Sequence, residues 1–222
     1  PIQQLEARKS DHQVEDNAWQ AIKTRYSAIR TALNDLDSTS DLNKFAVASS
    51  SNENAVSVTV TGAPATGATS FTVDRLAVNH QLSSNTNFAG ADALVGVGDF
   101  VINKDGVDHT ITTTADTTLG QLSAQINDLD IGVTASVVSI DGTDHKLILS
   151  SDETGDANTF TTSGTVASLG TMDLLQQGVD AQITLGSGGS ALTHSRSSKT
   201  VTDLIYGASN ELTGTTTTAG TI

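Results

Sequence analysis

Cysteine is absent from this 222-residue chain, so neither disulfides nor thiolate metal sites are available to it. That absence fits an exported bacterial protein as well as a cytosolic one. Aromatic residues make up only 4% and all hydrophobic residues 36%, so any core must be built from Val, Ile, Leu and Ala. Basic residues are scarce too. Eleven Lys and Arg face 25 Asp and Glu, a net charge of −14, which argues against nucleic acid and anionic membrane surfaces as partners. No apolar run approaches the roughly 18 residues that would span a bilayer. There is no apolar h-region of a signal peptide, although Pro1 reads as a trimmed start. Catalytic signatures are also missing. The five histidines (His12, His80, His109, His145, His194) accompany no Gly-x-Ser-x-Gly elbow and no His-Glu-x-x-His helix. Ser195 beside His194 is adjacency in sequence, which makes no nucleophile–base pair. Gly186-Ser-Gly-Gly189 lacks the lysine and the strand–loop–helix setting of a phosphate loop. The expectation is a non-enzyme without a cofactor.

What the chain does have is unevenly distributed. Residues 1–45 hold six Lys/Arg and seven Asp/Glu, leaving five against 18 in the rest. The first part reads as helix over 3–37. Trp19, Ile22, Tyr26, Ile29, Leu33 and Leu36 alternate three and four apart, the a/d seam of a coiled coil. Upstream the register passes through Leu5, Arg8, His12 and Glu15 and is poorly hydrophobic. Six large side chains left in water would forgo roughly 10 kcal/mol. No other segment offers a matching seam, so the partner helix is expected outside these residues. Ser38-Thr-Ser-Asp41 closes the helix.

The stretch Thr117–Asn158 organises the remainder. Leu119, Leu122, Ile126 and Leu129 lie on one helical face, with Asp116 or Thr117 expected as N-cap and Gly132 expected to end the helix in a left-handed conformation. The β-branched run Val133–Ile140, Asp141-Gly142 and Lys146–Ser151 follow, a hairpin pattern. One small helix is therefore laid against a two-stranded ribbon.

Around this unit the period is two. Ala55–Thr61 alternates; Thr69–Asp74 is the next strand and continues through Arg75 to Leu82. Residues 83–98 read as a polar loop with the apolar patch Ala93–Val95. Phe100–Ile102 and His109–Thr113 flank Lys104-Asp-Gly106, a second Asp-Gly hairpin. Residues 159–180, with Val166, Leu169, Met172, Leu174 and Leu175, read as a small helical or looped core piece. Asp180–Leu185 begins another strand. The pattern Asp105-Gly-Val-Asp-His109 returns as Asp141-Gly-Thr-Asp-His145. Each copy brings two carboxylates where calcium loops bring three or more, so both read as turns rather than metal sites. Asp152-Glu-Thr-Gly-Asp156 has three carboxylates in five residues and is likewise read as a structural turn.

The helix–hairpin residues LGQLSAQIND, GVTASVV and HKLILSSDETGDAN resemble a motif of flagellar axial proteins, shared by some flagellins. Other segments resemble one family in order: Phe45-Ala-Val-Ala-Ser-Ser50; Phe71, Val73, Leu76, Ala77 and Gln81; Ala181-Gln-Ile-Thr184; and Ser197-Ser-Lys-Thr-Val-Thr-Asp203. That family is the filament-capping, hook-associated protein 2 family of the FliD type. The chain departs from its pattern at Asp128-Leu-Asp130 and at His80. The resemblance covers nearly the whole chain in pieces and implies a fragment lacking both terminal regions.

The fold expected is α+β and β-rich, an N-terminal coiled-coil-like helix followed by two small antiparallel β-domains, one inserted in the other. The domains expected are a leg segment over 1–45, an inner head domain over 46–84 and 178–222, and an inserted outer domain over 85–177. The resemblance implies a homo-oligomeric, ring-like cap at the extracellular distal tip of the bacterial flagellum, exported by the flagellar secretion apparatus. Such a cap promotes folding and insertion of flagellin, its partner, with host surface glycans as a further candidate. A rival reading is an extracellular adhesin or glycan-binding β-domain, which would need a concave aromatic patch. Phe71, Phe88, Phe100, Phe160 and Tyr206 are the aromatics available for one. Another rival is a flagellin or other flagellar axial protein.

Overall fold

A computed structural model of the chain describes residues 2–34, 47–62, 64, 66–186, 188–216 and 218–222. Helix α1 comes first, Ile2–Asn34, 33 residues with no glycine or proline. At 1.5 Å per residue it is about 50 Å long. The Thr24 and Thr31 hydroxyls donate to the carbonyls of Gln20 and Ser27 one turn back, at 2.9 and 3.0 Å. None of its residues is buried. The rest of the expected leg, including Leu36 and Phe45, lies outside the described residues.

From residue 47 onward the described chain is mostly β. Strands β1 (Val56–Val60) and β2 (Ser70–Arg75) are followed by β3 (Asn79–Ser84). The continuous strand expected from Thr69 to Leu82 is therefore divided. Ala77 is fully buried and Val78 bridges to Val179, so the chain steps there from one sheet to another while its alternation persists on either side. Next come β4 (Gly98–Lys104), β5 (Val107–Thr113), helix α2 (Leu119–Asn127), β6 (Val133–Ser139) and β7 (His145–Thr154). Strands β8 (Phe160–Gly164) and β9 (Met172–Gln176) lie where a helical or looped piece was expected, with a 3₁₀ turn over Ala167–Leu169 between them. The return leg is β10 (Ala181–Leu185), β11 (Leu192–Arg196), β12 (Thr200–Val201), β13 (Ala208–Leu212) and β14 (Gly220–Thr221).

These strands form four antiparallel sheets in two groups. The orders β1-β13-β12 and β11-β10-β2-β14 belong to one group, β6-β7-β3-β9 and β5-β4-β8 to the other. Val56, Phe71, Val73, Ala77, Ala181, Ile183, Val201 and Leu212 form the core of the first unit. Leu82, Phe100, Ile102, Leu119, Leu122, Ile126, Leu147, Leu149 and Phe160 are central to the core of the second, which is inserted into the first. The architecture is thus a helix followed by two antiparallel β-units, one inserted in the other. Strand β3, which includes residues 79–84 assigned from sequence to the inner unit, pairs with β7 and β9 of the outer one.

The organising unit is present with two adjustments. The N-cap of α2 is Thr118, in a capping box with Gln121, rather than Asp116 or Thr117. Thr117 is occupied elsewhere, its Oγ1 accepting from the Thr114 N–H at 2.9 Å. The helix also ends before Gly132. Its last turn closes through Asp128 N–H to the Ala124 carbonyl, and Asp130 takes the left-handed conformation at φ 49°.

Candidate interaction surfaces

On α1 the seam residues Trp19, Ile22, Tyr26, Ile29 and Leu33 are all exposed, Ile22 by 56% and Trp19 by 69%. Their spacing brings them to one side of the helix, and none touches the β-units closely enough to be buried. Leu36 lies outside the described residues. The contact of His12 Nδ1 with Glu15, at 3.4 Å, is exposed to solvent and contributes little. No described helix is long and apolar enough to cross a membrane.

The two Asp-Gly-x-Asp-His segments prove to be different structures. Asp105 and Gly106, at φ 55° and 79°, are the whole loop between paired Lys104 and Val107, a tight type I′ hairpin. The second loop has five residues, 140–144, between paired Ser139 and His145. There the Asp141 carboxylate accepts from Thr143 N–H, Thr143 Oγ1 and Asp144 N–H at 2.8–3.0 Å. Those bonds, the Asp144 N–H first, hold its pKa below the usual carboxylate value. Val107 has no hydroxyl to offer Asp105. The later aspartates are used as well: Asp108 accepts from Asn103 Nδ2 (2.6 Å) and Asp144 from Asn87 Nδ2 (2.8 Å). Among the described residues no three His, Asp or Glu side chains are grouped to hold a metal ion.

The Asp152–Asp156 turn has a mechanical role. Thr154 Oγ1 donates to the Ser197 carbonyl, and the Asp156 N–H donates to Asp180 Oδ1 at 3.1 Å. Both acceptors lie on the return segment of the first unit. Between them Gly155, at φ 107°, approaches so closely that a Cβ would lie 2.6 Å from Ser197 Cβ. The turn locks one unit onto the other, and Asp152 Oδ1 is taken by Thr134 Oγ1 at 2.6 Å.

The sequence gives no role to three side chains that the fold engages. Asn127 accepts from the Ala135 N–H (2.6 Å) and donates to its carbonyl (3.0 Å), and Ser123 Oγ donates to the same carbonyl (3.0 Å). They close the free edge of β6. Ile126-Asn127 belongs to the helix motif, but its spacing cannot show what the amide bonds. His80 lies buried at the junction of the units. It lines a cleft of about 650 Å³ with Asn103, Asp105, Phe160, Met172 and Gln177. His109, His145 and His194 are half-buried on strands.

A family profile described as flagellar hook-associated protein 2 N-terminus matches residues 1–80. The fold is similar to that of the D2-D3 domains of the Escherichia coli flagellar cap protein FliD. The TM-score is 0.69 at 23% identity, over 78% of this chain and 94% of that one. The D2-D3 domains of the Serratia marcescens protein give 0.64 at 25% identity, over 74% and 95%. Against the E. coli D1-D2-D3 structure the TM-score is 0.67 at 24% identity, over 78% of this chain but 52% of that one, so the chain spans about half its length. No curated protein sequence matches the chain. The fold is that of the D2-D3 region of flagellar cap proteins. Its first 80 residues match the hook-associated protein 2 profile as well, so family profile and fold both liken the chain to FliD-type cap proteins.

Proposed function

We propose that the chain is a subunit of a homo-oligomeric cap at the distal tip of the flagellum, exported by the flagellar secretion apparatus. There it holds flagellin while flagellin folds and inserts. Residues 1–45 act as a leg. The inner head unit comprises about 46–78 and 178–222, and the outer unit the residues between. The observation that carries this reading is the apolar seam of α1, exposed at Trp19, Ile22, Tyr26, Ile29 and Leu33 on a 33-residue helix. A helix of that kind is stabilised by packing rather than by propensity, so its seam requires partner helices that an assembly supplies.

Replacing Ile22 and Ile29 with Asp in the full-length protein places two charges in the packed seam. An unpaired buried charge costs several kcal/mol, comparable with a domain's whole stability margin. Cells carrying the double variant are expected to release monomeric flagellin into the medium and to build few or short filaments. Replacing His109 and His145 with Asn should leave filaments near normal. Electron microscopy with an immunoblot of the supernatant reads both, and normal filaments from the seam variant would refute this function for α1.

A further inference from the structure

His80, 5% exposed, occupies the point where the chain crosses between the two units. Two residues earlier Val78 exchanges backbone hydrogen bonds with Val179, at 3.1 and 3.3 Å. The imidazole Nδ1 accepts from the Gly178 N–H at 3.4 Å, so the ring ties the segment leaving the outer unit to the strand that entered it. Acceptance at Nδ1 places the ring proton on Nε2. The His80 N–H donates to Ser151 Oγ at 2.9 Å, and the ring stands edge-on to Phe160 with centroids 5.0 Å apart.

The surroundings oppose a charge on this ring. Burial acts most strongly to lower its pKa; the Phe160 carbonyl partly offsets that, and the Lys104 ammonium adds to the lowering. Lys104 is itself unusual. It sits opposite Phe160 in the β4–β8 ladder with its side chain 8% exposed. Among the described residues its Nζ has no hydrogen-bond acceptor, and its ion-pair partner Asp105, at 3.6 Å, is largely solvated. From β4 the ring therefore meets Lys104, from β8 the Phe160 ring and carbonyl, and from the return segment the Gly178 N–H, while the Ser151 hydroxyl of β7 holds the His80 backbone. His80 also lines the cleft it shares with Asn103, Phe160 and Gln177.

We propose that His80 is a pH-sensitive lock on the junction. Neutral, it holds the Gly178 N–H and fixes one unit on the other; protonated, it turns a second donor toward that N–H beside an ammonium, and the junction loosens while both cores stay folded. The direction follows from linkage. Between the lowered folded pKa and the ordinary value of about 6.5 the opened form binds the extra proton, so the closed junction is favoured fully above that window and loses ground as pH falls through it.

The chain has no cysteine, so spin labels on Asp116→Cys and Ser195→Cys report the distance between the units in the full chain. A narrow distance distribution at pH 7.5 should broaden by pH 5.0, with a midpoint below about 6.5. His80→Gln should remove the broadening, and Lys104→Met, which eases protonation of the closed junction, should weaken it and move the midpoint downward. Amide exchange at Phe71, Ile183, Leu147 and Leu149 should stay slow throughout. A distribution unchanged with pH, equal broadening in His80→Gln, or a midpoint indifferent to Lys104→Met would overturn the lock. So would loss of core protection in step with the broadening, which would mark global acid unfolding.

Discussion

Asn127 closes the outer edge of β6 with two hydrogen bonds to one residue, the amide standing where a neighbouring strand would. Ala135 pairs with Leu149 of β7, and its own N–H and C=O point the other way, toward α2. An open edge invites pairing with other chains, and covering it with a helix is one of the protections proteins use. Because Asn127 is itself accessible to water, Asn127→Ala should cost about 1 kcal/mol, the value of an ordinary hydrogen bond. Leu122→Ala, one turn back and fully buried, should cost about 2–5 kcal/mol. Urea denaturation of both variants tests the ranking. Equal losses would mean that the edge bonds matter as much as the core.

Among the elements, α1 stands apart. Its seam is formed but uncovered, so in dilute solution its amides should exchange fast while those of β2, β7 and β10 exchange slowly. Uniform protection along α1 in a demonstrated monomer would show the seam satisfied within the chain. Helix α1 and the α2–β6–β7 unit were legible in the sequence because each carries its own period and punctuation. Strand β9 was not. Its residues Leu174 and Leu175 are both more than half exposed, so no alternation marks it, and it exists because β3 offers it an edge. The division of the run after Arg75 was equally hidden, since Ala77 and Val78 continue the apolar pattern into a different sheet. The repeated Asp-Gly-x-Asp-His letters promised one geometry and adopt two, decided by whether the third residue is the valine that continues a strand or the threonine that bonds Asp141. As for the site, the α1 seam was readable as periodicity. The roles of Gly155, His80 and Asn127 depend on contacts between distant segments and have no local signature.

For the molecule as a whole, the acidic balance sits almost entirely beyond residue 45. Asp108, Asp141, Asp144 and Asp152 are engaged by hydroxyl, amide and backbone donors, and Asp105 faces the Lys104 ammonium. Thermal unfolding should therefore shift negligibly between chelator and millimolar calcium. A rise of more than a few degrees, abolished by Asp152→Asn or Asp105→Asn, would contradict that structural role.

The two crossings at Val78 and Val179 lie hydrogen-bonded side by side, so the outer unit begins and ends at one spot on the inner one. Everything between them is a cassette. A replacement in frame has to match that short gap and the contacts that the Asp152–Asp156 turn makes with Ser197 and Asp180, while the inner core of Phe71, Val73 and Ile183 lies outside the exchanged segment. The outer unit is thereby free to diverge in sequence while the inner core keeps its shape.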